Sequence, residues 1–382
     1  MHEHKQNQCK RKVKHRKNVM GLIIFCITVG IAFMFTYYQN LRKEISVRQK
    51  WLETVLTGEK KWILENQGPE GEIYMNGGKA GDVNPYFACV AALGLLAETK
   101  NCLMTETEKK AVGRYLDWHT GILLETDGKM GIYRKESGKL IYKEKADSED
   151  GYLGMYLFLM GKYLEKTEST DLPEYWKKGI SLALKKIQSL MQDGITQVSE
   201  ENTTAYLMDN LEVWKGLYEL ELAGLEDTQA ISEMRKKIQE QIEKIFWDDA
   251  NQRWRIIENS DLYHQEEFYP DGVAQIYPLI YEFPVKEKKK QKILYDQFTE
   301  KFQWQKLNKK RTGFLWAMTG MAAAQMEDIN NLVELIGNYE TEYCENRKYP
   351  LYTGEAGWIC MECGKLYGLY ERKIKTGFIL CA

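Results

Sequence analysis

The hydrophobic pattern divides the chain into one long apolar segment, followed by an alternation of two kinds of helical segment. Val19 to Tyr38 is a run of twenty residues without a charged side chain, about the length that a bilayer crossing requires. Beyond it, segments that are apolar nearly all round alternate with segments dense in Lys and Glu. The first kind is typical of buried helices and the second of helices with one solvated face.

Six segments of each kind occur. The apolar segments begin at Asn84, Asp150, Thr203, Pro270, Gly313 and Gly354. The charged segments begin near Leu41, Thr105, Pro173, Thr228, Lys286 and Ile329. This alternation predicts an all-α fold, an (α/α)₆ toroid in which six inner helices are wrapped by six outer ones. A HEAT-like open solenoid is the alternative, but its repeat of about 40–47 residues fits only the last two intervals between apolar segments.

The charge around the apolar run predicts its orientation in a membrane. Residues 1–18 carry seven basic side chains and one acidic one. Because positive charge favours the cytoplasmic side, the rest of the chain is expected outside the cell. A cleaved secretory signal is the alternative, but the run is too long for that and lacks a small-residue cleavage site. We therefore predict a cytoplasmic tail (1–18), a single transmembrane anchor in the cell membrane (19–38) and an extracytoplasmic toroid (39–382).

Composition and motifs exclude several functional classes. A basic tail followed by an acidic body argues against nucleic acid as a partner. The chain has no Gly-rich phosphate loop, no H-E-x-x-H and no G-x-S-x-G motif, and only five histidines. Cys360-x-x-Cys363 has the spacing of half a zinc site or a redox pair, but small apolar residues in a helix explain it better. We expect neither a metal nor a cofactor.

Acidic residues gather in the loops that precede the apolar segments, and in a toroid these loops open onto one end of the ring. A single acid there is explained by helix N-capping, whereas several acids near one opening can raise one another's pKa. Glycosidic hydrolysis needs such a pair, one carboxyl as acid and one as base. The acids are Asp82, Asp147, Asp150, Asp209, Glu266, Glu267 and Asp271.

Aromatic residues lie at or near the starts of the same segments. Flat apolar side chains of this kind can stack on sugar rings, although each one taken alone is more often part of a core. They are Tyr86, Tyr206, Trp254, Trp316 and Trp358.

Several of these phrases resemble the six-hairpin glycosidases and, within that group, glycoside hydrolase family eight, the endoglucanase and chitosanase family. GDVNPYF places Asp82 four residues before Tyr86, as the family's general-acid phrase places a glutamate. ADSEDGYLGM is similar to the family's sugar-binding aspartates through Asp147 and Asp150.

Two further phrases extend the resemblance. TTAYLMDNLEVWKGL is similar to a later Pro-Ser-Tyr phrase around Tyr206, and FYPDGVAQIYP to the general-base phrase through Asp271. Two positions depart from the family pattern: Asp82 is one methylene shorter than the glutamate, and Gln275 stands where the family has Arg.

The resemblance implies a glycoside hydrolase that cleaves a polysaccharide, β-linked, by inversion, with Asp82 as acid and Asp271 as base. At the membrane, beside glycan-export machinery, such an enzyme would suit the trimming of a glycan during its export. Two alternatives stay open: a catalytically inactive glycan-binding or exopolysaccharide-assembly protein, and a helical protein-interaction scaffold. The candidate sugar-binding residues are Asp147, Asp150, Tyr86, Tyr206, Asp209, Glu267, Trp316 and Trp358.

Overall fold

The computed structural model describes residues 2–77, 81–136, 139–169, 172–225, 228–258, 267–307 and 313–381, with side chains left out at 2–19, 21, 22, 24 and 377–381. The side chains of the predicted tail (1–18) and Glu266 therefore lie outside the described residues. The chain divides into two compact units, Leu52–Leu366 and a second unit formed by Met1–Trp51 with Tyr367–Ala382.

The described residues form twelve α-helices, and their order confirms the predicted alternation. The odd-numbered helices are the charged segments and the even-numbered ones are the apolar segments, whose side chains are buried along most of their length. The chain is therefore mostly helical, as expected for an all-α fold. The helices are α1 (His2–Glu65), α2 (Pro85–Leu95), α3 (Glu106–Glu125), α4 (Glu149–Thr167), α5 (Glu174–Leu190), α6 (Leu207–Leu222), α7 (Thr228–Phe246), α8 (Val273–Ile280), α9 (Lys288–Phe302), α10 (Thr319–Gln325), α11 (Ile329–Tyr339) and α12 (Thr353–Cys381).

Short antiparallel strands lie between some of the helices. The longest pair is a hairpin that the helical pattern did not predict, and it pairs Tyr133 with Tyr142 across its two strands. A third short strand adds to this hairpin through Asp82 and Val83. The strands are β1 (Asp82–Val83), β2 (Gly131–Glu136), β3 (Lys139–Lys145), β4 (Met191–Gln192), β5 (Ile195–Thr196), β6 (Trp247–Asp248) and β7 (Arg253–Trp254).

Glycines allow α4 and α6 to pack with their backbones in contact. A Cβ atom on Gly154 would lie 2.7 Å from the backbone nitrogen of Val213, and one on Gly161 would lie 2.5 Å from the carbonyl carbon of Glu219. No larger residue fits at either position unless the two helices separate. This close approach brings the first turn of α4 beside the first turns of α6.

The even-numbered helices from α2 to α10 pack on one another in chain order within the unit Leu52–Leu366. Helix α12 follows α10, since a Cβ on Gly320 would lie 2.5 Å from the carboxyl carbon of Glu362. The last of them returns to the first, because a Cβ on Gly94 of α2 would lie 2.5 Å from the Cα of Gly357 of α12. In the outer layer, Lys60 of α1 pairs with Glu108 of α3. The return of α12 to α2 is consistent with the predicted toroid and argues against an open solenoid, whose first and last repeats do not touch.

An ion-pair network joins the inner helices near their C-terminal ends. Lys215 contacts both Glu219 and Glu282 at 2.8 Å, and Glu219 also pairs with Lys162 at 2.9 Å. Lys365 completes the network through Glu282. Burial alone would raise the pKa of Glu282, but Lys215 and Lys365 lower it to about 2.

Among the described residues, no helix is long and apolar enough to cross a membrane. Positions 19, 21, 22 and 24 of the predicted anchor (19–38) lie outside the described side chains.

Candidate active site

Glu212 of α6 is a buried carboxyl on which three tyrosine hydroxyls converge. Tyr86 of α2 donates to its Oε1 at 2.6 Å, Tyr277 of α8 at 2.7 Å and Tyr281, just after α8, at 3.2 Å. Only 3% of Glu212 is exposed. Three inner helices, α2, α6 and α8, therefore meet at one acidic side chain.

The surroundings of Glu212 raise its pKa to near neutrality. Burial and the nearby charge of Asp150 raise its pKa, the three tyrosine hydroxyls lower it, and the net result is a pKa of about 7. Burial also raises the pKa of Tyr86, Tyr277 and Tyr281 well above the ordinary value, so these hydroxyls remain donors.

Two aspartates lie next to Glu212. Asp150, in the first turn of α4, accepts from Thr196 Oγ1 at 2.6 Å and from Ser148 Oγ at 2.8 Å. Burial nevertheless raises its pKa to about 6. Burial, followed by the charges of Asp150 and Glu212, raises the pKa of Asp209 well above the ordinary value. The structure therefore places Asp150 and Asp209, both predicted from the sequence, in one cluster with Glu212.

Gly151 is the residue that makes room for this cluster. A Cβ there would lie 2.6 Å from Glu212 Oε2 and 3.4 Å from Asp209 Oδ1. All three tyrosine hydroxyls donate to Oε1, so Oε2 is the oxygen on the Gly151 side. The close contact between α4 and α6 thus positions the second oxygen of Glu212 beside Asp209.

Helix capping does not explain these acids. The N-cap of α2 is Asn84, whose side chain accepts the backbone N–H of Tyr86, and the N-cap of α4 is Ser148. Tyr206 occupies the N-cap of α6 without a side-chain hydrogen bond. Neither Asp82 nor Asp209 is therefore the N-cap of the helix that follows it or contains it.

Asp82 lies in β1, where two cations hold it. Arg134 Nε contacts its Oδ1 at 2.7 Å and Lys143 Nζ its Oδ2 at 2.7 Å. The hydrogen bond from Arg134 has the largest effect and, with Lys143, lowers the pKa of Asp82 in spite of partial burial. A general acid must carry a proton, so this environment does not fit the role that the family resemblance gave to Asp82. The hairpin β2–β3, which supplies both cations, is the physical reason.

Asp271 lies in the turn Phe268–Gly272 that leads into α8, and it is buried. Glu267 just before this turn is exposed, as is Asp147 before α4. Burial, then the charges of Asp209 and Asp147, raises the pKa of Tyr269 to about 12, so this turn faces the aspartates. Among the described contacts, none joins Glu267 to the cluster of Glu212, Asp150 and Asp209.

Gln275, which replaces the arginine of the family phrase, binds the backbone of Trp254 through both ends of its amide. The indole of Trp254 is buried and donates to Gln291 at 2.8 Å. Trp254 is therefore part of the core and is not a sugar platform.

The other predicted aromatic residues take different positions. Trp316, in the loop before α10, packs against Tyr269 with ring centroids 4.7 Å apart and ring planes inclined at 37°, and both rings are partly exposed. Trp358 of α12 is buried and meets Tyr281 edge to face at 6.2 Å. Tyr206 is half-buried at the start of α6. Trp316 is thus placed to meet a ligand, whereas Trp358 supports the wall behind the tyrosines.

Glu355, in the first turn of α12, holds the loop that carries Trp316. Its carboxyl accepts the backbone N–H groups of Leu315 and Trp316 at 3.1 Å and of Ala317 at 2.9 Å. Burial raises its pKa to about 7 in spite of these three hydrogen bonds. Neither Glu355 nor Glu212 was among the site residues predicted from the sequence.

The cysteines and acids give no metal centre in the part of the chain that the structure describes. No group of three His, Cys, Asp or Glu side chains there could hold a metal ion. Cys360 and Cys363 are free thiols in the buried part of α12, and burial raises the pKa of both well above the ordinary value.

No protein-family model and no curated protein matches this chain. Solved structures of similar fold include a wild-type glycosidase (12% identity, 85% of this chain and 99% of the other, TM-score 0.59). A D-mannose isomerase (10%, 83% and 97%, 0.54) and an alpha-amylase from Clostridium perfringens (12%, 82% and 97%, 0.52) are also similar. The likeness supports a glycosidase-like helical fold; at these identities it shows the fold alone and leaves family eight a prediction.

Proposed function

We propose that the chain is a glycoside hydrolase in which Glu212 is the general acid and Asp271 the base that activates water. The observation that carries the proposal is Glu212 itself, buried under three tyrosine hydroxyls beside Asp150 and Asp209. Glu212 lies toward the N-terminal ends of the inner helices, and a toroid of glycosidase-like fold opens at that end. Cleavage of a β-linked polysaccharide by inversion is part of the proposal.

The arrangement suits proton transfer to a leaving oxygen. A carboxyl with a pKa of about 7 is about half protonated at neutral pH and loses its proton without a large cost. Once the proton has left, the three hydroxyls on Oε1 stabilise the carboxylate that remains. Burial and the charge of Asp150 favour the protonated form of the resting acid, as the surroundings of the general acid do in other glycosidases.

The test is reducing-end release by the full chain from β-glucan, chitosan, xylan, poly-N-acetylglucosamine and starch. We expect Glu212→Gln to lower kcat by about 10²- to 10⁴-fold, because the amide has no proton to transfer. Asp82→Asn should have a much smaller effect. Glu362→Gln is the matched control, since Glu362 is another buried glutamate with a raised pKa but lies between α10 and α12.

Loss of activity in Asp82→Asn, with Glu212→Gln active, would return the acid role to Asp82. Glycan binding without turnover by the unsubstituted chain would instead favour the inactive glycan-binding or assembly protein. Absence of both binding and turnover would favour the interaction scaffold.

We also propose that residues 19–38 anchor the enzyme in the cell membrane. The support is the exposure of large apolar side chains along this part of α1: Phe25 is 64% exposed and Phe33 74%, and Ile27 and Ile31 are also more than half exposed. A soluble surface rarely exposes a contiguous apolar patch of this kind, and lipid is the solvent that suits it.

Membrane extraction tests the anchor. The full chain should stay with membranes after alkaline carbonate washing, and Ile27→Arg combined with Ile31→Arg should release it, because charge in the bilayer centre is costly. Protease added outside the cell should digest the body and leave the tail. Release of the unsubstituted chain by carbonate would contradict the anchor.

A further inference from the structure

The carboxyl group of Asp150 accepts hydrogen bonds on both of its oxygens, and one donor comes from a distant strand. Ser148, the N-cap of α4, and the backbone N–H of Gly151 donate to Oδ1 at 2.8 and 3.0 Å. The donor to Oδ2 is Thr196 of β5, whose Oγ1 lies 2.6 Å away. Asp150 and Thr196 are both fully buried. Thr196 was not among the site residues predicted from the sequence.

A tight hairpin places Thr196 beside Asp150. Strands β4 and β5 pair antiparallel, with Met191 opposite Thr196, and only Asp193 and Gly194 connect them. Both connecting residues have a positive φ, +51° and +92°, which is the two-residue turn that Asp-Gly favours. Because the length of such a turn sets the register of its strands, it fixes the position of Thr196 along the hairpin.

Asn210 of α6 holds the backbone of Thr196 in both directions. Its Oδ1 accepts the N–H of Thr196 at 2.7 Å, and its Nδ2 donates to the carbonyl oxygens of Thr196 and Tyr206, both at 2.9 Å. These partners define the orientation of the amide, since a reversed amide would point its donors at an N–H group. The Oδ1 of Asn210 is therefore an acceptor, and it also lies 3.2 Å from Oγ1 of Thr196.

The hydroxyl of Thr196 thus has one proton and two acceptors within reach, Asp150 Oδ2 and Asn210 Oδ1. When Asp150 is ionised, the hydroxyl donates to Oδ2, which is the shorter contact. When Oδ2 carries a proton, it donates that proton to Oγ1, and the hydroxyl turns its own proton to Asn210. No heavy atom has to move, and the only proton gained or lost is the one on Asp150.

The groups that face Asp150 from the neighbouring elements are mostly acids. The charge of Asp150 raises the pKa of both Asp209 and Glu212 on α6. Asp147, before α4, adds to the effect on Asp209. Strand β5 contributes the uncharged Thr196, and α2 and α8 contribute tyrosines that burial keeps neutral. A change in the charge of Asp150 therefore acts directly on the proposed acid, Glu212.

We propose that Thr196 is a positioning residue of the site, whose hydroxyl keeps Asp150 hydrogen-bonded in both its ionised and its protonated state, so that Asp150 changes its charge beside Glu212 without moving. The proposal rests on the proposed function for the role of Glu212 as the acid. In Thr196→Val the side chain keeps its shape, but the ionised Asp150 loses its donor on Oδ2 and its pKa rises. Asp150 is then protonated over more of the range in which Glu212 titrates, and the pKa of Glu212 falls.

The first experiment is the pH profile of kcat/KM for the full chain, on the glycan of the panel that it hydrolyses. In Thr196→Val the alkaline limb should move to lower pH by about half a unit, because Glu212 loses a neighbouring negative charge. Thr196→Ser retains the hydroxyl and should keep the profile of the unsubstituted chain. Thr120→Val is the matched control, since Thr120 is a fully buried threonine of α3 whose hydroxyl pairs with Tyr156 at 2.9 Å. It should leave the limb in place.

The second experiment needs no substrate and compares the free energy of unfolding at pH 4.5 and 7.5 by urea denaturation. A hydrogen bond to a charged group is stronger than one to a neutral group. Thr196→Val should therefore destabilise the chain more at pH 7.5, where Asp150 is ionised, than at pH 4.5, where it is protonated. We expect the unfolding equilibrium constant to differ by a further factor of about ten at the higher pH. The cost of Thr120→Val should not depend on pH.

A cost of Thr196→Val that is the same at both pH values, with an unmoved alkaline limb, would show a merely structural threonine and overturn the proposal. A Thr196→Ser variant that behaves like Thr196→Val would also overturn it. If Thr196→Val does not fold, Thr196→Cys takes its place, because a thiol is a weak donor and should shift both measurements in the same direction by less.

The two experiments separate this proposal from the proposed function. A pH-dependent cost of Thr196→Val in a chain without turnover would keep the role of Thr196 toward Asp150 and reject the hydrolase. Turnover with neither effect of pH would keep the hydrolase and reject the role of Thr196.

Discussion

Two carboxyl groups, Asp82 and Glu212, have opposite electrostatic surroundings. Asp82 lies between Arg134 and Lys143 and is held ionised, whereas burial and Asp150 keep a proton on Glu212. The sequence predicted Asp82 as the general acid, because the segment GDVNPYF resembles a known general-acid motif. The cations that change its character come from a hairpin about fifty residues further on, which no local phrase reveals.

The hydroxyl of Tyr277 sets the pH range of the proposed acid. Tyr277→Phe removes a 2.7 Å hydrogen bond that stabilises the carboxylate of Glu212. A hydrogen bond to a charged group contributes about 1.5–3 kcal/mol, so the pKa of Glu212 should rise by about one to two units. Since the acid acts when protonated, the alkaline limb of kcat/KM should move to higher pH by the same amount. An equal shift of the kcat/KM profile in Tyr175→Phe, which changes an exposed tyrosine on α5, or no shift in Tyr277→Phe, would contradict this assignment.

Glu212 could have been identified from the sequence by its position on a helix. Asp209 and Glu212 are three residues apart on one face of a helix that is otherwise apolar, and a buried acid in such a helix needs a partner or a function. Tyr277 of α8 and Tyr281 just after it are four residues apart and therefore also lie on one face. Their meeting at one oxygen depends on how three helices pack, and the sequence alone does not give that geometry.

At the scale of elements, the contact between α4 and α6 builds the site. Gly154→Ala should lower the free energy of unfolding by about 1–3 kcal/mol, because the added methyl group meets backbone atoms that cannot yield. Gly337→Ala is the matched control on α11, where a Cβ meets nothing within 4 Å. It should raise the free energy of unfolding by about 0.5–1 kcal/mol. Urea denaturation measures both, and equal effects of the two substitutions would disprove the role of close packing.

The hydrophobic pattern predicted the elements well because the two kinds of helix differ in composition along their whole length. Helix α3 begins one residue after the predicted Thr105, which forms a capping box with Glu108. Helix α10 begins at Thr319, later than the predicted Gly313, because Glu355 holds the intervening loop in a non-helical conformation. The hairpin β2–β3 was missed because its alternating pattern is short and lies between two strong helical signals.

At the scale of the whole molecule, buried acids make folding stability depend on pH. Glu212 and Glu355 have folded pKa values of about 7 against 4.5 when unfolded, and Asp150 about 6 against 3.8. The folded state therefore holds protons that the unfolded state has lost, and its stability should fall as pH rises from about 4.5 to 7. Each glutamate contributes at most about 3 kcal/mol to this loss. Glu282 acts oppositely, since its depressed pKa of about 2 adds stability above pH 4.5 that is lost on acidification.

Urea denaturation between pH 4.5 and 7.5 checks this dependence. The free energy of unfolding should fall less steeply with pH in Glu355→Gln, because this substitution removes one of the titrating groups while keeping the shape of the side chain. A free energy of unfolding that rises across this range would show that these acids are not protonated in the folded state.

An ion-pair network ties inner helices together from about one helical turn beyond Glu212, and its members are Lys215, Glu219, Glu282, Lys162 and Lys365. Under the proposed function, a glycan that enters from the Glu212 side meets this network before it could leave at the opposite end of the helices. Substrate and product are then expected to share one entrance, and each cleaved fragment must leave by the route along which the polymer entered. Accumulated product should therefore compete directly with fresh polymer for the same opening.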